Sequence, residues 1–237
     1  MTGWAAKRFW TDVSVEPVDQ GFEVKLDGRP VRTPGKSPLR LPTVALGRLL
    51  AAEWEAQGDE IDPETMPATR MANSAIEKVT PQMRAVADHL LYYGETDLLC
   101  YRAEDPKALV AREADLWDPW LDWAAAELGA RLVVTVGILP VQQPRVAIAA
   151  LDRELTRFSA FELAAVHDLV SLPGSLILGL AAARGAADPK ELWKTARLDE
   201  LWQIEQWGED DLAEASNARK EHAFGEAAEF LRCCRSE

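Results

Sequence analysis

The chain has few of the residues that most often carry catalysis or covalent cross-links. Its 237 residues include only three cysteines and three histidines. Three cysteines cannot build a disulfide framework, so we predict a reducing compartment. None of His89, His167 and His222 stands at a recognisable catalytic spacing from Cys100, so this thiol has no evident base in the sequence.

Basic residues and long apolar runs are scarce too. The chain has 26 Lys and Arg against 39 Asp and Glu, a formal net charge of -13. Phosphate binding needs clustered cations, so this balance argues against nucleic acid and anionic membrane surfaces. The most apolar stretch, Leu169 to Ala183, is shorter than the roughly 20 residues of a membrane span and contains Pro173, so we predict no membrane insertion. The N-terminal residues resemble neither a signal nor a transit peptide.

Motifs for metals, phosphates and hydrolytic nucleophiles are missing from the sequence. Cys233 and Cys234 are adjacent and therefore poorly placed to hold one tetrahedral ion, and no glycine-rich phosphate loop or G-x-S-x-G motif occurs. We predict no metal, no cofactor and no enzyme activity. A thiol or carboxylate hydrolase centred on Glu95, Asp97 and Cys100 stays open as an alternative.

The hydropathy pattern changes once along the chain, from a period of two to a helical period. Alternation runs from Arg8 to Leu41 around Asp27-Gly28, a pair typical of a β-hairpin turn. After Pro42, apolar residues recur every three or four positions. The exception is "RLVVTVGIL" (131–139), whose β-branched residues predict a strand that joins the N-terminal sheet. The pattern predicts an α+β fold, with a β-rich domain over 1–62 and a larger all-helical domain over 63–237.

The segment "ETDLLCYR", from Glu95 to Arg102, combines carboxylates, a thiol, a phenol and a guanidinium in eight residues. We interpret it as structural. Cys100 lies in an apolar run, and free cysteine is among the most buried residue types. Glu95 and Asp97 follow a helix end, where carboxylates commonly cap turns or pair with an arginine such as Arg102. Trp54, which continues a helical apolar stripe, is predicted to be buried.

A second stripe runs along a predicted helix from Pro189 to Trp207, with Trp193 at one end and Glu200 in its middle. A carboxylate on an apolar face needs either a partner charge or a role on a working surface. Two readings stay open for Glu200. It is half of a buried salt bridge, or it is a recognition residue in an apolar groove that continues into an acidic run from Glu209. The possible salt-bridge partners are Arg145, Arg153 and Arg197.

Six segments of the chain resemble one protein family. They are "RFWTDVSV", "LDGRPVRTP", "AAEWEAQGDEIDPETMPATRMANSAIEKV", "ETDLLCYR", "WDPWLDWA" and "RLDELWQIEQWGE". With their spacing, they are similar to the chaperones that assemble the catalytic head of the F-type ATP synthase. The resemblance covers nearly the whole chain.

The resemblance implies a holding chaperone rather than an enzyme. Its client would be the unassembled alpha subunit, shielded from aggregation until the beta subunit replaces the chaperone. Trp54 falls on one family motif, and Glu200, Gln203 and Trp207 fall on the C-terminal one. We therefore predict client binding by Glu200, Gln203, Trp207, Trp193 and Glu209.

The resemblance also bears on the cellular compartment and on the alternative functions. Family members occur in mitochondria and in bacteria, and the N-terminus, which begins close to the matching region, favours the bacterial cytoplasm. We expect a monomer. A helical adaptor with an unrelated partner stays open as a second alternative.

Overall fold

A computed structural model of the protein describes residues 7–208 and 211–236. The chain forms two compact units. The first contains the residues up to Met83, together with Ser159–Ala165 and the residues from Glu229 onward. The second contains Arg84–Phe158 and Val166–Ala228. The first unit therefore continues past residue 62, where the change of period placed the boundary, and it includes helical segments from the C-terminal half.

The first unit contains a three-stranded antiparallel sheet. Its strands are β1 (Val13–Val18), β2 (Gly21–Leu26) and β3 (Arg29–Pro30), in the order β1-β2-β3. Asp27 and Gly28 connect β2 to β3 with φ angles of 47° and 76°, which confirms the predicted turn. The Asp27 carboxylate also accepts hydrogen bonds from the backbone N–H groups of Thr11 and Asp12, which lower its pKa.

Helices α1 (Val44–Glu55) and α2 (Pro67–Ser74) complete the N-terminal part of this unit. The Thr43 hydroxyl caps α1 by accepting a hydrogen bond from Leu46 N at 3.1 Å. The carboxylate of Glu53 accepts from the first N–H groups of α2, those of Ala68 and Thr69, at 2.6 and 2.8 Å. The start of α1 is therefore capped by its own preceding residue, and Glu53 near its end ties the helix to α2.

Helices dominate the second unit. The remaining helices are α3 (Met83–Glu95), α4 (Lys107–Trp123), α5 (Arg145–Leu155), α6 (Ala160–Ser171), α7 (Leu176–Ala183), α8 (Pro189–Ala196), α9 (Leu198–Trp207) and α10 (Asp211–Arg235). The residues of α6 and α10 are divided between the two units. The architecture confirms the predicted α+β class. Within the described ranges, no helix is both long and apolar enough to cross a bilayer.

The prediction that the strand at 131–139 joins the N-terminal sheet is wrong. Only Thr135–Val136 form a strand, β5, and it pairs in parallel with β4 (Tyr101–Arg102) inside the second unit. The Gln143 side chain both donates to Val133 O and accepts from Val133 N, at 2.9 and 2.8 Å. The backbone N–H and C=O of Val133 are therefore hydrogen-bonded to an amide side chain, whereas in a longer strand they would pair with a neighbouring strand.

The predicted single helix from Pro189 to Trp207 is in fact two helices. Helix α8 ends at Ala196, and α9 begins at Leu198. Between them Arg197 has φ −99° and ψ 18°, outside the α-helical range. The predicted stripe is therefore divided between two helices, with Trp193 and Ala196 on α8 and Glu200 on α9.

Candidate functional site

The "ETDLLCYR" segment is a structural corner in the second unit. The Asp97 side chain is fully buried and caps the short turn Leu98–Cys100. Its Oδ1 accepts from Leu99 N at 3.1 Å and from Ser175 Oγ at 2.8 Å, and its Oδ2 accepts from Ile177 N at 3.0 Å. One carboxylate thus holds the start of α7 against the segment that follows α3.

The carboxyl group of Asp97 and the thiol of Cys100 are both buried, and burial raises both pKa values. Burial raises the pKa of Asp97 to about 6, although the hydrogen bonds from Ile177 and Ser175 oppose the rise. Burial also raises the pKa of the Cys100 thiol to about 12, with a contribution from the nearby Asp97 charge, which keeps the thiol protonated at neutral pH. Glu95 is exposed at the end of α3 and does not share the buried network of Asp97.

Arg102 pairs differently from the expectation that it joins Glu95 or Asp97. Its Nε donates to Leu99 O at 3.0 Å, and its Nη2 lies 2.7 Å from Asp118 Oδ1. Its guanidinium also lies over the ring of Trp117, 5.4 Å from the centroid. Arg102 therefore ties the corner to α4, because Asp118 and Trp117 both project from that helix.

Trp54 is half-buried in the first unit rather than fully enclosed. Its ring meets the buried Trp10 edge to face, with 5.3 Å between the centroids. Its indole nitrogen is itself buried and has no hydrogen-bond partner in the described residues. The ring contributes apolar contact to α1, which is a structural role.

Three of the predicted client-binding residues share an exposed face of α9. Glu200, Gln203 and Trp207 are spaced by three and four residues, which places them within about 60° of one another around the helix. All three are exposed, and Trp207 is 80% exposed. An exposed tryptophan beside an unpaired carboxylate is typical of a recognition surface, since Trp is enriched at interface hot spots.

The buried-salt-bridge reading of Glu200 is wrong. Glu200 is exposed, and it forms no ion pair with Arg145, Arg153, Arg197 or any other described residue. The physical reason is that the Glu200 carboxylate is exposed to water, so it needs no partner charge.

Trp193 and Glu209 do not belong to the exposed α9 face. Trp193 is 3% exposed, donates from Nε1 to Asn217 Oδ1 at 3.1 Å and packs on Phe224. Its role in the described structure is to support the helices around it. The predicted client-binding residue Glu209 lies outside the described residues.

The exposed face is held by contacts on the other side of α9. Glu205 accepts two hydrogen bonds from the Arg112 guanidinium on α4, at 2.7 and 2.9 Å. The same guanidinium lies 6.0 Å from the Trp202 ring centroid. These contacts join one side of α9 to α4, whereas Glu200, Gln203 and Trp207 are exposed.

The sequence analysis missed a second exposed apolar surface. Val136, Ile138, Leu139 and Val146 are 59%, 91%, 76% and 77% exposed. Pro140 and Arg145, which adjoin Leu139 and Val146 in the sequence, line an open cavity of about 670 Å³. The β-branched pattern at 131–139 predicted a strand of the N-terminal sheet instead. The only opposing signal was Gly137-Ile138-Leu139-Pro140, where glycine and proline bracket the two most exposed residues.

The described residues present an exposed face that has the features of a protein-binding surface. They contain no group of three or more His, Cys, Asp and Glu side chains able to hold a metal ion. Cys100, the one thiol considered as a nucleophile, is buried and protonated. What they expose is a tryptophan–carboxylate face on a well-anchored helix.

Comparison with known proteins places this binding protein in a family. Residues 7–125 match the family model of the ATP12 chaperone protein. Atp12 from Paracoccus denitrificans is 51% identical, with a TM-score of 0.94 over 97% of this chain and 99% of that one. An aspartate-to-lysine mutant of the same protein matches at 50% identity, over 97% and 98% of the two chains, with a TM-score of 0.94. The mitochondrial protein atp12 of Schizosaccharomyces pombe is 22% identical over 96% of this chain and 82% of that one.

The chain therefore belongs to the ATP12 chaperone family, which confirms the resemblance drawn from its sequence segments. Its relatives are named as chaperones and not as enzymes, in agreement with the predicted absence of enzyme activity.

Proposed function

We propose that this chain is an assembly chaperone of the F-type ATP synthase. It binds the unassembled alpha subunit of the catalytic head and prevents its aggregation until the beta subunit takes its place. Family membership supports the chaperone role. The observation that carries the binding site is the exposed α9 face of Glu200, Gln203 and Trp207.

The chemistry of this face suits a client that is later released. Trp207 supplies a large apolar contact with few rotatable bonds, and Glu200 accepts a hydrogen bond or a cation from the client. A holding chaperone must lose its client to the beta subunit, so its affinity has to stay below that of the final assembly. One aromatic anchor and one exposed carboxylate give such a moderate affinity.

The test measures how much alpha subunit stays in solution after dilution from denaturant with each variant. We expect Glu200→Gln and Trp207→Ser to melt like the wild type but to protect the client poorly. Glu127→Gln and Tyr92→Ser are matched controls, since Glu127 is exposed and Tyr92 is 60% exposed, both outside α9. Equal protection by all four variants would remove the α9 face from the proposal.

The second apolar surface provides a rival location for the client. Ile138 is 91% exposed and Leu139 is 76% exposed, so both side chains are available for apolar contact with a client. If Leu139→Ser abolished protection while Trp207→Ser retained it, the client site would be the surface around residue 138. Co-purification from the native host distinguishes the chaperone function, at either location, from an adaptor with an unrelated partner. Only the chaperone function predicts capture of the alpha subunit.

We also propose that the protein acts as a monomer in the bacterial cytoplasm. The relatives at about half identity are bacterial proteins, whereas the mitochondrial relative is 22% identical. Cell fractionation with light scattering of the purified protein tests this assignment, and a membrane-bound or dimeric protein would contradict it.

A further inference from the structure

A small cavity in the second unit lies next to the exposed α9 face. Its volume is about 270 Å³, below the roughly 300–1,000 Å³ of small-molecule sites, which suits a single inserted side chain. The buried Trp193 and Ala196 line it from α8, and Ala213 and Lys220 line it from α10. Glu200 also lines it, so the cavity is continuous with the face proposed to bind the client.

The charged groups of this cavity have no partners in the described structure. The Nε of Arg197 is buried and makes no hydrogen bond. Neither Arg197 nor Lys220 forms an ion pair with a described residue. A buried donor without an acceptor is costly, and none of the acceptors that line the cavity, among them Glu200 and Asn217, bonds to Nε. Two cations against the single carboxylate of Glu200 leave it locally positive, in a chain whose net charge is -13.

Resting on the proposed function, we propose that this cavity receives an acidic side chain of the client, an aspartate or glutamate. Its carboxylate accepts a hydrogen bond from Arg197 Nε and interacts with the ammonium group of Lys220. The methylene groups of that side chain contact Trp193 and Ala196. A guanidinium is well suited to this task, because its donors match carboxylate geometry and it is weakly hydrated.

Glu200 then adds selectivity at the same site. It lies three residues after Arg197, about one helical turn along, and carries the opposite charge. A client segment with a second acid beside the inserted one is repelled by Glu200. A client segment with a base or an N–H donor beside the inserted acid satisfies both charges.

The first experiment measures the affinity of each variant for the purified alpha subunit. We expect Arg197→Gln to weaken binding by about 30-fold, which corresponds to about 2 kcal/mol for truncating one partner of a buried charged contact. Lys220→Gln should weaken binding less and flatten its salt dependence, because Lys220 is exposed. Lys194→Gln is the matched control, since Lys194 is exposed on α8 and does not line the cavity.

The outcomes separate this inference from the proposed function. If the wild type does not bind the alpha subunit, the proposed function fails. If the wild type binds and Arg197→Gln binds within twofold of it, the inference fails and the proposed function stands. A lower melting temperature for Arg197→Gln, with unchanged affinity of the folded protein, would make Arg197 a structural residue and also overturn the inference.

A second experiment identifies the occupant. A carbodiimide activates a carboxyl group, which then forms an amide with a nearby amine. We expect Lys220 to couple to an aspartate or glutamate of the alpha subunit, and Lys194 to remain uncoupled. If the complex forms and no client carboxyl couples to Lys220, the cavity does not receive an acidic side chain of the client and the inference is wrong.

Discussion

Asp97 gives the sharpest stability prediction because its role follows from named contacts. Asp97→Ala removes the acceptor of three donors, which are Leu99 N, Ser175 Oγ and Ile177 N. Each donor left unpaired in a buried site costs about 1–3 kcal/mol. Removing the buried carboxylate also removes the cost of keeping it ionised in the fold. That cost is about 3 kcal/mol at neutral pH, since its pKa is raised from 3.8 to about 6. The net loss in the free energy of unfolding is then about 3 kcal/mol, which lowers the melting temperature by about 6–12 °C.

The pH dependence of the same variant tests the sign of the pKa shift. A carboxyl group with a raised folded-state pKa stabilises the fold fully below its unfolded value of 3.8 and loses this contribution as the pH rises through about 6. Asp97→Ala lacks this titration. The stability gap between wild type and variant should therefore be about 1 kcal/mol larger at pH 5 than at pH 7.5.

Urea unfolding at both pH values measures this gap, and Asp97→Asn serves as the matched variant. The amide keeps the shape and removes the charge, but it offers one oxygen in place of two, so one of the N–H donors meets an NH₂ group. A wild-type melting temperature for Asp97→Ala, or a gap that narrows at pH 5, would refute the structural role. The hydrolase alternative predicts instead a stable variant that has lost an activity.

Three further substitutions test the packing and the assignment of the thiol. Trp54→Arg should destabilise the protein by several kcal/mol by calorimetry, because it removes the contact with Trp10 and places a charge there. Wild-type melting would show that this contact is dispensable. Gly47→Ala should lower the melting temperature, since an added Cβ would lie 2.7 Å from Val15 Cγ1. An unchanged value would mean that β1 shifts freely. Cys100→Ala should leave client protection intact, and lost protection would give the thiol a function.

The N-terminal fold was predictable because its signals are local. Asp27-Gly28 lies between alternating runs, and its turn needs only the two positive φ angles that these residues adopt. The strand at 131–139 was mispredicted because β-branched composition does not show which backbone N–H and C=O groups are hydrogen-bonded to a side chain. The side chain of Gln143 bonds to Val133 from ten residues away, and no periodicity records such a contact.

The arrangement of the candidate site residues was predictable in part. The spacing of Glu200, Gln203 and Trp207 gives their shared face correctly, because all three lie within one uninterrupted helix. The break at Arg197 has no glycine or proline to mark it, so the sequence did not show that Trp193 belongs to a separate, buried helix. The unpaired Nε of Arg197 depends on the packing of α8, α9 and α10, so it becomes visible only in three dimensions.

A photo-crosslinking amino acid at position 207, with the alpha subunit present, tests most directly whether the α9 face binds the client. Trp207 is 80% exposed, so the replacement leaves the fold intact, and position 92 serves as the control because Tyr92 is 60% exposed on α3. We expect cross-links to the alpha subunit from position 207 that disappear when the beta subunit is added. Cross-links from position 92 but none from 207, or cross-links that persist with the beta subunit present, would contradict the proposed function.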